Sequence, residues 1–220
     1  MAAPRKLVYG FGINDVETSP RIRQEDGSYR LCDIYCRWSN MIRRCYHIKS
    51  KESSYEGCQV TEEWASLKEF SRWYNSFYKE VMVIDKDLLS GKIYSPDTCL
   101  FIPPKVNSFI TTSEEKYPLP SGVHFNKERG KFCSRVYNPF SEKRGDYKHM
   151  GYVLTAEEAT SRFMDLKSEY ASILALDLEN PKSAACLEQR YKEGHWFFNT
   201  EMEKARMFDK KMSDGRWPHD

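Results

Sequence analysis

The chain has 220 residues, with 34 basic and 32 acidic side chains, so its formal net charge is only +2. This balance excludes a globally basic nucleic-acid-binding protein, and any surface for a polyanion must be local. Aromatic residues make up 14% of the chain, which argues against disorder because they supply much of the burial that a small core needs.

The sequence carries no sign of a membrane or secreted protein. The N-terminal "MAAPRKLVYG" lacks the apolar core of a secretory signal, and no apolar run approaches the roughly 20 residues of a membrane span. The seven cysteines are odd in number and form no Cys-x-x-Cys pair. We therefore expect a cytoplasmic protein with reduced thiols and no membrane partner.

Residues 1–30 are polar and rich in turn residues, which predicts an irregular arm. A helix is predicted from Leu31, because apolar residues recur there at helical spacing. A second helix is predicted from an N-cap at Thr61 to about Tyr78, with an apolar stripe of Trp64, Leu67, Phe70, Trp73, Tyr74 and Phe77. Short strands are then predicted at 81–84 and 99–102, followed by a short helix that carries Asn107.

A Ser/Thr/Pro-rich linker near residues 111–120 predicts a domain boundary. Beyond it, two strands joined by a turn at "KERG", a third strand and a helix capped by Thr155 are expected. Helical character continues to about Tyr191. The predicted class is α+β, with an arm (1–30), a first module (31–112), a sheet-plus-helix module (118–180) and a helical tail (181–220).

Several stretches resemble known families. "IYCRWSNMIRRCY", "CQVTEEWASLKEFSRWY", "IDKDLLSGKIYSPDTCLFIP" and Asn107 resemble phage-encoded HNH-type homing endonucleases. "SGVHFNKERGKFCSRVYN", followed by "MGYVLTAEEATSRFMDLK", is similar to the sheet-plus-helix DNA-binding domain of plant ethylene-response factors. That module also follows the nuclease core in many phage HNH proteins, and the combined resemblance covers residues 30–192.

The HNH resemblance implies a core of two strands and a helix around one divalent metal ion. Asp85 matches the family's acid, Lys86 falls where the family has its histidine base, Thr98 falls near the middle Asn, and Asn107 matches the last position. The resemblance thus implies Asp85, Lys86 and Asn107 as catalytic residues. Asp85, Asp87 and Asp97 could supply oxygen ligands to Mg²⁺, a hard cation, and we predict Asp85, Asp87 and Asn107 as the metal-binding residues.

Lys86 is the main departure from that pattern. A lysine flanked by two aspartates is expected to stay charged, which suits a phosphate but makes a poor general base. Either a metal-bound water acts without histidine, or the site has lost cleavage and kept DNA binding. A solvated turn whose acids cap a neighbouring element is the plainer interpretation of "DKD".

Basic residues in the second half alternate with apolar ones, which predicts a sheet with one basic face that contacts double-stranded DNA. The predicted DNA-binding residues there are Lys127, Arg129, Lys131, Arg135, Arg144 and Lys148. A second basic cluster lies on the first helix, at Arg37, Arg43 and Arg44. The alternatives are an ordinary charged face, or a non-enzymatic protein that binds a host or phage protein inside an infected bacterial cell.

Two further features stay open in the sequence. Cys45, Cys58, Cys99 and His47 are suitable zinc ligands by residue type, but without a paired motif we expect buried structural thiols instead. The aromatic residues Trp196, Phe197 and Phe198 suit either a partner surface or packing of the C-terminal tail onto its own module.

Overall fold

The computed structural model describes residues 6–47, 55–89, 91–111, 119–143 and 145–215. The chain divides into two compact units, Met1–Phe101 and Ile102–Asp220. The first unit combines helices with small two-stranded sheets and the second combines helices with one three-stranded sheet, in keeping with the predicted α+β class. The division falls before the predicted linker, so the segment that carries Asn107 belongs to the second unit. Within the described ranges, no helix is both long and apolar enough to cross a bilayer.

The first unit alternates short strands with two helices. Its elements are β1 (Arg21–Arg23), β2 (Tyr29–Leu31), α1 (Asp33–Tyr46), β3 (Gln59–Val60), a 3₁₀ turn (Glu62–Ala65), α2 (Leu67–Phe77), β4 (Val83–Asp85), β5 (Ile93–Tyr94) and β6 (Leu100–Ile102). β1 and β2 are antiparallel, β3 is parallel to β5, and β4 pairs with β6. The first unit thus combines two helices with three two-stranded sheets in the described part of the chain.

The core of the first unit is the aromatic cluster that the helical spacing predicted. Trp38, Trp64 and Phe70 are fully buried, and the Trp38 indole Nε1 donates to the Trp64 carbonyl at 2.8 Å. The predicted stripe does not extend to its last member, because 59% of Phe77 is exposed. The periodicity thus identified the buried face but overestimated its length.

The start of α2 differs from the prediction. Ser66, not Thr61, is the N-cap, and its Oγ accepts from the Glu69 N–H at 3.1 Å. Thr61 precedes the 3₁₀ turn and makes no side-chain cap bond. Asp15 stabilises the start of α2 at Ser66, because its carboxylate accepts from the Ser66 hydroxyl at 2.6 Å and from the Lys68 N–H at 2.9 Å. This long-range contact cannot be read from the local sequence.

The N-terminal arm is part of the first unit. Besides β1, its described residues include Ile13, whose N–H donates to the Ala65 carbonyl at 2.7 Å and whose carbonyl accepts from the Leu67 N–H at 3.0 Å. Gly12 lies so close to the core that an added Cβ would be 2.6 Å from Ile42 and 2.7 Å from Trp38. The predicted irregular arm is therefore anchored by backbone bonds and by close packing.

The second unit is built on a three-stranded antiparallel sheet. Its elements are α3 (Pro104–Ile110), β7 (Val123–Asn126), β8 (Lys131–Tyr137), β9 (Tyr147–Val153), α4 (Ala156–Ala175), α5 (Pro181–Gln189) and α6 (Trp196–Ser213). The strand order is β7-β8-β9, so β8 is central. The Thr155 hydroxyl accepts from the Glu158 N–H at 3.1 Å, which confirms the predicted cap of α4.

The C-terminal tail folds back onto this module. Phe208 of α6 is buried in one core cluster with Phe132, Val123 and Val153 of the sheet. The Asp209 carboxylate caps α4 by accepting from the Ala156 and Glu157 N–H groups at 2.7 and 2.9 Å. The sequence left the role of the tail open, and the structure assigns its helix to the sheet module.

Candidate nucleic-acid interface and the acidic turn

The acidic segment forms a closed turn after β4. Asp85 is 4% exposed, and its Oδ2 accepts from the Leu88 N–H at 2.8 Å. The Gly91 N–H donates to the Lys86 carbonyl at 3.0 Å. Gly91 has a φ of +74°, a conformation that glycine adopts without the steric cost of a side chain. Asp85 therefore caps the turn, and Gly91 closes it.

Lys86 points into the first unit and is only 3% exposed. Its Nζ donates to Asp87 Oδ1 at 2.5 Å and to the Gly91 carbonyl at 2.8 Å. The ammonium also lies over the rings of Tyr94 and Tyr55, 5.4 and 5.7 Å from their centroids. A carboxylate, a carbonyl and two aromatic faces thus compensate the desolvation of the buried charge.

The ligand set implied for Mg²⁺ is divided between different environments. The Lys86 ammonium forms an ion pair with Asp87. Asn107 lies in α3, in the second unit, where its backbone carbonyl accepts from the Thr111 hydroxyl at 2.7 Å. In the part of the chain that the structure describes, no three His, Cys, Asp or Glu side chains are grouped as a metal site would require. The assignment of Asp85, Asp87 and Asn107 as Mg²⁺ ligands therefore stays a prediction.

The basic cluster of α1 is directed onto tyrosine rings. The Arg37 guanidinium lies 5.9 Å from the Tyr74 ring and 5.6 Å from the Tyr78 ring. Arg44 is exposed, and its guanidinium lies 5.1 Å from Tyr55, the ring that Lys86 also contacts. Arg43 is half-buried near the end of the same helix. The three predicted DNA-binding arginines therefore differ in exposure, and their contact with DNA stays a prediction.

The strand register divides the second unit's sheet into two faces. Phe132 lies opposite Phe125 and Val153, and it packs in the core with α4 and α6. Residues that pair across strands share a face, so the alternate positions lie on the opposite side, which we call the outer face. The outer face comprises His124, Asn126, Lys131, Cys133, Arg135, Tyr137, Tyr147, His149 and Tyr152.

The outer face carries basic and aromatic side chains and no carboxylate. Lys131 and Arg135 are exposed, and Lys127 and Arg129 lie in the exposed turn between β7 and β8. None of these four residues forms an ion pair within the described ranges. The structure thus brings together the four basic residues that the alternation predicted.

The other two predicted residues of this group are placed differently. Lys148 is exposed but pairs with Val136, so the register assigns it to the side of the sheet that packs on α4. Arg144 lies outside the described residues. The basic surface that can be described is therefore limited to the β7–β8 turn and the outer face.

Two histidines beside Arg135 were not predicted as site residues. The Arg135 guanidinium lies 3.4 Å from the Nε2 of His124, and Arg135 is the register partner of His149. The His149 ring is 5.0 Å from the Tyr152 ring, over which the Arg129 guanidinium lies at 4.8 Å. Their outward positions in the strand alternation were the signal that sequence reasoning did not use.

The cysteines are free thiols, and Cys58, Cys99 and Cys133 are buried. Burial raises the pKa of the Cys99 thiol to about 12 and that of Cys45 to about 11. Such thiols stay protonated near neutral pH, and a neutral thiol is a poor nucleophile and metal ligand. The burial and the raised pKa values favour a packing role for Cys45 and Cys99.

Comparison with known proteins finds no matching family model, no matching curated protein and no matching solved structure.

Proposed function

We propose that this protein binds double-stranded DNA through the outer face of the β7-β8-β9 sheet. The observation that carries the proposal is the side-chain content of that face. Lys131 and Arg135 share it with two histidines and three tyrosines, and no Asp or Glu occupies an outward position of the three strands. A near-neutral protein thus has a locally basic surface on this sheet, as a polyanion partner requires.

The chemistry of the face suits DNA in two ways. Lys and Arg contact phosphates and fix the orientation of a protein on the duplex, while Arg can also bind the edge of guanine. Residues 123–137 contain four basic side chains against the single carboxylate of Glu128, so the local charge is strongly positive. The resemblance to ethylene-response-factor domains supports the same orientation of the sheet toward DNA.

We further propose that the first unit is an HNH-type scaffold of phage origin, and that DNA binding by the outer face does not need a metal ion at the acidic turn. The Lys86 ammonium already neutralises Asp87, and Asp85 is a buried cap. On this account DNA binding persists when divalent ions are removed by chelation. One rival proposal is metal-dependent nicking of DNA, with Asp85, Asp87 and Asn107 as the metal ligands. A second rival is that the protein binds a host or phage protein instead of DNA.

The binding proposal is tested with fluorescence anisotropy on a labelled duplex at low salt, in the presence of a chelator. The double variant Lys131→Ala/Arg135→Ala is expected to lose about 10-fold or more in affinity, because each phosphate or base contact contributes on the order of 1 kcal/mol. Lys210→Ala/Lys211→Ala removes the same charge from the last turn of α6 and is the matched control. Equal losses of affinity in both variants would mean that net charge, and not the outer face, determines the affinity for DNA.

The nicking proposal needs a separate assay. Supercoiled plasmid is incubated with Mg²⁺ or Mn²⁺ and either wild type or Asp85→Asn. The Asn substitution keeps an oxygen that can cap the Leu88 N–H but weakens metal binding. Metal-dependent nicking that Asp85→Asn abolishes would establish the rival nuclease. If the protein neither binds nor nicks DNA, a protein partner replaces both proposals.

A further inference from the structure

The outer face carries two neighbouring rows of side chains with different chemistry. The central strand β8 contributes a basic row, with Lys131 and Arg135, and the edge strand β9 contributes an aromatic row, with Tyr147, His149 and Tyr152. We infer that the outer face also binds single-stranded DNA, with the phosphates along β8 and unpaired bases stacked on the two tyrosines of β9. This inference rests on the proposed function and adds a second form of DNA as a ligand.

The strand register places the two rows side by side. Tyr147 and Tyr152 of β9 lie opposite Tyr137 and Cys133 of β8, and Arg135 lies between these two positions. Adjacent strands of a sheet are about 4.8 Å apart. A single strand of DNA has its phosphates along one edge and its bases along the other, so a basic row beside an aromatic row matches both edges.

The tyrosine rings of β9 are exposed at the surface rather than packed in the core. Tyr147 is 56% exposed and Tyr152 is 39% exposed. The Tyr147 ring meets the Tyr137 ring edge-to-face, with the centroids 5.7 Å apart. The Arg129 guanidinium lies 4.8 Å from the centroid of the Tyr152 ring. Each ring is thus held by a neighbour, while a large part of its surface stays exposed to a ligand.

Duplex binding alone does not explain the aromatic row. Lys and Arg side chains suffice for phosphates and guanine edges, whereas the faces of paired bases are stacked inside the duplex and closed to a tyrosine ring. An unpaired base exposes its face, and stacking on aromatic side chains contributes much of the affinity for single strands. The cross-strand contact of Tyr137 with Tyr147 stabilises the sheet, but it does not require that Tyr147 stays exposed.

The charges beside the aromatic row favour a polyanion. Neither Lys131 nor Arg135 forms an ion pair within the described ranges. Strands β8 and β9 contain no Asp or Glu. Asp146, which directly precedes β9, accepts from the side-chain amide of Asn138 at 3.1 Å. The phosphates of a single strand can therefore follow β8 without meeting a carboxylate on that strand.

The test uses fluorescence anisotropy at low salt, in the presence of a chelator. It compares a labelled oligothymidine of about 10 nucleotides with the same oligonucleotide carrying abasic sites. Both ligands have the same phosphates, so the difference in affinity measures the contribution of the bases. The abasic oligonucleotide is expected to bind about 10-fold or more weakly to wild type. This comparison does not depend on any variant of the protein.

Variants then assign the stacking to the tyrosines. Tyr147→Leu/Tyr152→Leu is expected to lose about 10-fold or more in affinity for oligothymidine, but less than about 3-fold for the duplex, because the basic row remains. Tyr147→Phe/Tyr152→Phe keeps both rings and should bind within about 2-fold of wild type. Tyr29→Leu removes an exposed ring from β2 of the first unit and is the matched control, with no change expected.

The outcomes separate the inference from the proposed function. Equal affinity for the oligothymidine and its abasic form, or equal losses in the Leu double variant and Tyr29→Leu, would overturn the inference. Binding of the duplex without binding of the single strand would also overturn it and leave the proposed function standing. Oligouridine that binds 10-fold or more tightly than oligothymidine would replace DNA by RNA as the single-stranded ligand. Absence of duplex binding would contradict the proposed function itself.

Discussion

Two hydrogen bonds join Lys86 and Gly91 and close the turn after β4, one from the ammonium to the Gly91 carbonyl at 2.8 Å and one from the Gly91 N–H to the Lys86 carbonyl at 3.0 Å. The same ammonium contacts Asp87, so the residue at the expected base position is enclosed in the fold. Lys86 therefore stabilises the first unit through these contacts, and its role as a phosphate ligand stays a prediction.

Replacement of Lys86 by Met should separate these two roles. The variant loses a buried hydrogen bond and an ion pair, so the free energy of unfolding is expected to fall by about 1 to 3 kcal/mol. Affinity for DNA is expected to stay within about 2-fold of wild type, because the outer face is unchanged. Urea titration followed by circular dichroism measures the first quantity and anisotropy the second. A large loss of affinity in a folded variant would restore Lys86 as a phosphate ligand.

Gly12→Ala tests whether the N-terminal arm belongs to the core. The added methyl group would meet Trp38 and Ile42 below 3 Å, so the arm must shift or the core must rearrange. Overpacking of this kind costs about 1 to 3 kcal/mol. The melting temperature is expected to fall accordingly, and an unchanged melting temperature would show that the arm is dispensable.

Asp209→Ala tests the return of the tail helix. Its carboxylate accepts two N–H bonds at the start of α4 and interacts favourably with the helix dipole, so its removal is expected to cost about 1 to 2 kcal/mol. Glu203→Ala removes an exposed carboxylate from the same helix and is the matched control, with an expected change below about 0.5 kcal/mol. Equal effects would mean that the cap does not anchor the tail.

Lys167 gives the second unit a pH dependence of its own. The side chain is 6% exposed, its ammonium lies 3.8 Å from the Phe109 ring centroid and it donates to the Phe109 carbonyl. Burial, followed by the charge of Arg190, lowers its pKa from 10.5 to about 7. The unfolded chain therefore binds more protons than the folded chain between these values, and stability decreases as the pH falls from about 10.5 to about 7.

Lys167→Met should remove that dependence. Wild type is expected to gain about 2 kcal/mol of stability from about pH 7 to about pH 9, whereas the variant should be more stable than wild type near pH 7 and should change less with pH. Lys192→Met replaces an exposed lysine and is the control. Urea titrations at both pH values measure the free energy of unfolding. An identical change with pH for wild type and Lys167→Met would contradict the lowered pKa of Lys167.

Local sequence patterns predicted much of the second unit. The alternation in β7 and β8, the turn at "KERG" and the Thr155 cap are all short-range signals, and the structure contains each of them. The helix α6 lies within the predicted helical tail (181–220), but its packing was not predicted, because it depends on Phe208 contacting Phe132 and on Asp209 capping α4. These contacts join residues that are distant in the sequence.

The candidate site shows the same limit. The basic residues of the β7–β8 turn and outer face were predictable from alternation, but the grouping of His124 and His149 around Arg135 depends on the strand register and on the bulge in β9. Likewise, residue types suggested metal ligands at Asp85 and Asp87, while the direction of the Lys86 side chain required the fold of the turn. Residue chemistry was readable in the sequence, but its geometry was not.

The most direct test of the account is the salt dependence of DNA binding. We expect the logarithm of the affinity of wild type to fall steeply with the logarithm of salt concentration, with a slope of about −0.9 for each phosphate contacted. Lys131→Ala/Arg135→Ala should reduce the magnitude of the slope by about 2, whereas Lys210→Ala/Lys211→Ala should leave it unchanged. An affinity that barely changes with salt, or a slope that the outer-face variant does not alter, would contradict binding of DNA by this face.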